Sequence, residues 1–363
     1  MRVSCAVAAL LLLSWQAAFA QRADTVKLRA ANPCSRCISL TQVATLRLPD
    51  TLGGFVSPVS FARSSGGDYY VRDPFGQLGI HRFDAKGRYL QTIGRRGGGP
   101  GEYTFIESFH LDANDTLWIF GSNHGVFTAN GRLVRSSRLD QLLRPKLSAG
   151  SRDGKMFVVG LSQSPDEFGV PLHIVRSDGS IERSFGARPG GAIGRSIWDR
   201  RQSLAPGLSS TFYTAFANSY AIEEWSTRGA PPRVFERDAE WFRPWVSWDG
   251  RSDVERPPAR LAHMTVDASG LLWTVSIVPD LNWRAVTRRS SEQQRIESLA
   301  DLERRFDTMV EVVDLSRAEV VASQRMPGIV VGAFGSNHLA LTAEDSNGEV
   351  VATIWRASLT RAR

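Results

Sequence analysis

The chain has three cysteines in 363 residues, and only Cys34 and Cys37 lie beyond the first twenty. No second cysteine pair follows, which excludes a four-cysteine structural zinc site. Ile38, not histidine, follows the second cysteine, which excludes c-type haem attachment. The six histidines, His81, His110, His124, His173, His263 and His338, form no H-x-x-x-H or H-E-x-x-H pair. No G-x-S-x-G elbow occurs, and no glycine-rich loop ends in Gly-Lys-Ser/Thr, so neither a hydrolase elbow nor a P-loop is present. Beyond residue 20 no apolar run is long enough to span a membrane. Charge of one sign nowhere gathers in a long run.

What is present begins with residues 1–20. Arg2, an apolar run from Ala6 to Leu13, and Ala18-Phe19-Ala20 make the three parts of a secretory signal peptide. Cleavage after Ala20 would leave 43 basic against 37 acidic residues, a mild and scattered excess. The expected location is extracytoplasmic, periplasmic or secreted, with no nucleic-acid partner and no integral membrane segment after cleavage. An exported C-x-x-C most simply forms a local disulfide, so Cys34 and Cys37 are expected to pin an N-terminal segment, residues 21–40.

Residues 41–363 read as one repeat array. An aromatic or apolar anchor recurs mid-strand at Tyr70, Trp118, Phe157, Tyr220, Trp273 and Ala340. A hairpin with a glycine-bearing turn follows most anchors, as in FDAKGRYL and FTANGRLV. Each unit therefore holds four strands, the plan of a propeller blade. Six anchors meet only five complete hairpins, and a spare strand, residues 42–48, precedes the first unit. The expected fold is an all-β, six-bladed propeller whose N-terminal strand closes the last blade. Residues 290–306 carry Ile296, Leu299, Leu302 and Phe306 at helical spacing, so a small helical insertion is expected in blade five.

The stretch GGDYYVRD…GIHRFDAKGRYLQTIGRRGGGPGEY resembles an NHL-type repeat, and its tail resembles the GPGEF loop of bacterial exported six-bladed propellers. Val71, Asp73, Phe83, Asp84, Gly87, Gly94, Gly97, Gly101 and Tyr103 carry the resemblance. PFGQLG stands where such repeats usually have an Asn-Arg pair. The resemblance implies the propeller fold, and proteins of that fold serve many functions.

Candidate chemistry is sparse. Glu107, His110 and His263 lie on or beside expected inner strands, where side chains could line a central channel. They would be the residues of a channel-centred hydrolase or lyase, of the propeller lactonase or lyase kind. Propeller lactonases hold calcium with Glu, Asn and Asp, and asparagine partners for Glu107 are not evident, so no metal and no cofactor are expected. Loop length points elsewhere. Links between middle strands and between blades share one face of a propeller, and the long insertions, residues 186–210, 237–260 and 279–307, fall there. Five of the nine mature tryptophans are in them: Trp198, Trp241, Trp245, Trp248 and Trp283. Arg195, Arg243 and Arg284 join them, with Arg95 and Arg96 of the glycine-rich loop. Tryptophan and arginine are common anchors of binding surfaces. The expectation is a non-enzymatic binding or scaffold protein that takes a protein or an extracellular polymer on this face.

Overall fold

The computed structural model describes residues 24–137, 143–150, 155–162, 172–176, 180–186, 202–228, 231–246, 248, 256–286, 304–335 and 337–360. Six antiparallel sheets of four strands follow one another along the chain. Blade 1 holds Ser60–Arg63, Tyr69–Arg72, Ile80–Phe83 and Tyr89–Ile93. Blade 2 holds Ile106–Leu111, Leu117–Gly121, His124–Phe127 and Leu133–Ser137. Blade 3 holds Leu143–Gly150, Met156–Ser162, Leu172–Val175 and Ile181–Phe185. Blade 4 holds Gln202–Pro206, Thr211–Phe216, Ala221–Ser226 and Arg233–Glu236. Blade 5 holds Arg260–Val266, Leu272–Pro279, Phe306–Asp314 and Glu319–Pro327. Blade 6 takes three strands from the C-terminus, Val330–Phe334, His338–Glu344 and Val350–Leu359. Its outer strand, Ile38–Leu46, comes from the N-terminus and pairs antiparallel with Val350–Leu359. The closing strand thus starts four residues earlier than the sequence suggests. Each inner strand packs on the inner strands of both neighbours, which completes the ring.

The apolar interior is divided among the interfaces. Six buried clusters occur among the described residues, one between each pair of adjacent blades. Alternation explains this: successive strand residues point to opposite faces of a radial sheet, so each blade serves two interfaces. Tyr70, Trp118, Phe157, Trp273 and Ala340 all face the following blade. Blade 4 departs from the expected register. Its second strand is Thr211–Phe216, and Tyr213 takes the anchor position. Tyr220 precedes the third strand instead.

The turns follow their residues. In residues 84–88, 112–116, 128–132 and 267–271, the first residue's N–H donates to the fifth carbonyl. The fourth residue's N–H donates back to the first carbonyl, closing the turn. Left-handed φ at the fourth position (85° at Gly87, 82° at Gly131, 86° at Gly270) is what glycine supplies there. Asp112 and Asp267 act twice. One carboxylate oxygen caps the turn, and the other accepts the indole N–H of Trp118 at 3.1 Å or of Trp273 at 2.9 Å.

The N-terminal segment is a strap across three blades. Asp24–Lys27 adds a fifth, parallel strand to the outer edge of blade 4. Arg29 and Cys34 then bridge to Glu319 and Ala322 on the outer strand of blade 5. Cys34 and Cys37 are disulfide-bonded, with Cα atoms 5.6 Å apart, at the point where the strap turns into the closing strand. The expected helical insertion lies outside the described residues up to residue 303. Phe306 opens a strand, so it is not part of a helix face. Its φ/ψ are set by pairing with Pro279, a tertiary demand that overrides helical spacing. Among the described residues no helix is long and apolar enough to cross a membrane.

Five of the six histidines are buried. His81 and His173 each place Nδ1 at 2.9 Å from a hydroxyl on the outer strand, Thr92 and Ser184 respectively. Burial lowers His81 to about 4 and His110 to about 3. Both are neutral when folded, whereas the unfolded chain takes up their protons near pH 6.5. The stability they support is complete above pH 6.5 and is lost as pH falls from 6.5 toward 4 and 3. Each costs roughly 1.4 kcal/mol per pH unit over its window. The melting temperature should fall steadily from pH 7 to pH 4.5, and His110→Phe should flatten that slope. A pH-independent melting temperature over this range would contradict the assignment.

Candidate functional site

Antiparallel order within every blade puts the middle-strand links and inter-blade links on one face, the long-loop face. The opposite face carries the tight turns just described. The long-loop face is organised first by the glycine-rich loop between blades 1 and 2. Arg95–Arg96 pairs with Glu102–Tyr103 in a short parallel ladder. The Glu102 carboxylate accepts from the Gly99 N–H at 2.9 Å and from Arg95 Nε at 2.8 Å. Those contacts, the backbone one first, lower its pKa. A Cβ at Gly97 (φ 156°) would stand 2.1 Å from Glu102 Oε2, so a side chain there would displace this carboxylate. Tyr103 is fully buried and lies against Gly125, where a Cβ would meet its hydroxyl at 1.9 Å. The loop is therefore a folded crossing between blades that leaves its arginines outside.

Asp73, the last residue of the V-x-D motif, holds the neighbouring loop. Its buried carboxylate accepts the N–H groups of Val56, Ser57, Phe75 and Gly76. Two chain segments are thereby fixed with Val56 and Phe75 outward, 57% and 75% exposed. An open recess of about 390 Å³ lies between this loop and the glycine-rich one. Gly76, Gln77 and Leu78 form one wall, and Thr92, Arg95 and Arg96 the other.

The tryptophans behave differently from the expectation. Trp241 packs against the core between blades 4 and 5, with its ring 5.8 Å from Tyr220 and from Phe242. Trp245 donates its indole N–H to the Ala259 carbonyl at 2.9 Å, and its carbonyl accepts from Asn218 Nδ2 at 2.7 Å. Trp283 is buried, with the Arg284 guanidinium 5.3 Å above its ring. These side chains pin the insertions to the ring, because a large ring gains more from burial than from exposure. Arg243 is exposed. Trp198 and Arg195 lie outside the described residues.

What the tryptophans leave open, smaller apolar residues fill. Nine large hydrophobic side chains are exposed among the described residues. Five stand on loops of the long-loop face: Val56, Phe75, Phe105, Val246 and Leu281. Sequence reasoning misses them because single apolar residues in loops have no periodicity to read.

Of the channel candidates, His110 does not face the axis. His110 is buried and stacks on Trp118 and Phe120, with centroids 6.1 and 5.8 Å away. Alternation turns its side chain into the interface with blade 3 rather than toward the axis. Glu107 pairs at 3.1 Å with Lys146 of the next inner strand. His263 is partly buried on the inner strand of blade 5. Among the described residues no three His, Cys, Asp or Glu side chains are grouped to hold a metal.

Residues 55–127 match a family model described as "6-bladed beta-propeller". No curated protein matches the sequence. Among solved structures, a Bacteroides fragilis protein described as exported superposes with a TM-score of 0.57 at 12% identity, over 92% of this chain and 99% of its own. Virginiamycin B lyase from Staphylococcus aureus gives 0.48 at 9% identity, over 87% and 99%. A calcium-binding regucalcin from Agrobacterium tumefaciens gives 0.46 at 11% identity, over 93% and 97%. At such identities the likeness is one of fold. The chain is a six-bladed β-propeller, and the stretch from Phe55 to Phe127, blade 1 and most of blade 2, carries its match to the family of that description.

Proposed function

We propose that this protein is an exported, non-enzymatic binding or scaffold propeller that takes a partner protein on its long-loop face. One observation supports the reading above the rest: among the described residues, five of nine exposed large hydrophobic side chains stand on loops of that face. Exposed apolar groups rimmed by arginine suit a protein interface, where apolar anchors lose water and guanidinium groups direct docking. Arg95, Arg96, Arg243 and Arg284 are exposed on loops of the same face. The rigid ring supports these loops, and loops on a rigid scaffold are where binding residues concentrate. The leader-like residues 1–20 and the described export of the Bacteroides fragilis protein favour an extracytoplasmic setting.

The test compares faces. Phe75→Ser combined with Phe105→Ser should reduce retention of the partner from the native envelope fraction at least tenfold. Leu90→Ser with Leu208→Ser, on an outer strand and on the opposite face, should leave retention unchanged. Circular dichroism melts keep folding separate from binding. Retention that follows the second pair instead would contradict the proposal.

A further inference from the structure

The recess between the two loops of blade 1 has a chemistry of its own. We infer that it binds a carboxylate side chain in an acidic peptide segment of the partner, with an adjoining apolar residue seated on Phe75 and Leu78. This rests on the assignment of the long-loop face as the binding face. The recess holds about 390 Å³ and is open to solvent, so it suits a side chain of a docked segment rather than an enclosed small molecule. Both of its charged lining residues are arginines, and no acidic residue lines it. Arg95 and Arg96 are consecutive in a short extended segment, and both line the recess. Glu102 engages Nε of Arg95 and leaves the terminal amino groups of that guanidinium over. Arg96 is exposed and makes no ion pair among the described residues.

The wall is biased toward donors. An arginine side chain brings five N–H donors and no acceptor, and a carboxylate only accepts. The Thr92 hydroxyl is already engaged by His81 and Tyr89. A sugar hydroxyl both donates and accepts, and the charged groups that line the recess only donate, the Gln77 amide oxygen being the acceptor on the facing wall. A carboxylate can take two parallel N–H bonds from one guanidinium, the geometry in which arginine excels. Phe75, held outward by Asp73, supplies the apolar anchor at the rim.

The experiment displays a random 12-residue peptide library to the immobilised mature protein and sequences what is retained. Retained peptides should be enriched in Asp or Glu beside an aromatic or aliphatic residue. A synthetic copy of the leading peptide should bind at least tenfold more tightly than its Asn/Gln version. Arg96→Gln should weaken it by a similar factor, whereas Arg132→Gln, on the opposite face, should leave it unchanged. Polygalacturonate, a carboxylate-bearing sugar polymer, should bind wild type no better than Arg96→Gln. The inference is overturned if no acidic peptides are enriched, if the Asn/Gln exchange or Arg96→Gln changes affinity less than twofold, or if polygalacturonate is the stronger ligand. In those cases, loss of peptide binding in Phe75→Ser would leave the face assignment standing. Full binding in Phe75→Ser with loss in Leu208→Ser would remove the face assignment as well.

Discussion

A chain that starts at Pro49 should show no cooperative thermal transition. It lacks Ile38–Leu46, the outer strand of blade 6 and the link that joins the last blade to the first. Ile38, Leu46 and Leu48 are buried, and Leu46 and Leu48 are part of the core that joins blades 6 and 1. Burial of three such side chains stabilises by about 2 kcal/mol each. The antiparallel ladder to Val350–Leu359 goes with them, and Ile354 and Ala352 lose their cover. A loss approaching ~10 kcal/mol would match the whole stability of an ordinary domain. A chain that starts at Ile38 separates closure from strapping. It lacks the strand on blade 4 and the bridges to blade 5 but keeps the ring closed. It should melt a few degrees lower, and cooperatively. Differential scanning calorimetry of the two truncations decides the matter. Equal, cooperative melts would show that the ring does not depend on its N-terminal strand.

The second large effect is expected at Glu311, a fully buried carboxylate between blades 4 and 5. It accepts from Arg237 Nε at 3.4 Å and from its terminal nitrogen at 3.3 Å. It also accepts from the Tyr220 hydroxyl at 2.8 Å and the Ser323 hydroxyl at 2.9 Å. Tyr220 reaches Thr274 as well, at 2.6 Å. Burial first, and then the Glu311 charge, raise the Tyr220 pKa, so its phenol stays a donor. Glu311→Ala strands the largely buried Arg237 cation and leaves two hydroxyls without their acceptor. Removal of one partner from such a pair typically costs about 3–5 kcal/mol. Replacing both, as in Glu311→Leu with Arg237→Met, should cost far less, because no unpaired desolvated charge is then left in the folded state. Urea denaturation midpoints of the three proteins measure the difference. A loss under about 1 kcal/mol in Glu311→Ala would mean that water reaches the site and the network holds little.

Much of this ring is legible in the amino-acid sequence, and the reason is local. The turns at residues 84–88 and 267–271 specify themselves through one Asp and one Gly, with no help from distant residues. Trp118 and Trp273 recur with Asp112 and Asp267 because each indole N–H needs the carboxylate that caps its own turn. Blade count and closure follow from counting such units. Sequence and fold part company where tertiary contacts decide. Tyr220 looks like a strand anchor, yet its ring belongs to the Glu311 network and Tyr213 occupies the strand. Phe306 fits a helical stripe but pairs with Pro279 in a sheet. The strap residues 24–36 have no strand signature, because an added edge strand takes its conformation from the edge it meets. Trp241, Trp245 and Trp283 are attractive as ligand anchors, but a tryptophan in a long loop can as readily hold that loop down. The exposed apolar residues of the long loops differ from buried ones only in their surroundings, which no local pattern encodes.

Site-specific photo-crosslinking in native cells tests the proposed binding face. A benzoyl-phenylalanine at Phe75, Phe105, Val246 or Leu281, one at a time, should yield the same higher-mass adduct. The same probe at Leu208 or Asn130, on the short-turn face, should yield none. Adducts confined to Leu208 and Asn130, or equal at all six positions, would contradict a binding face built from the long loops.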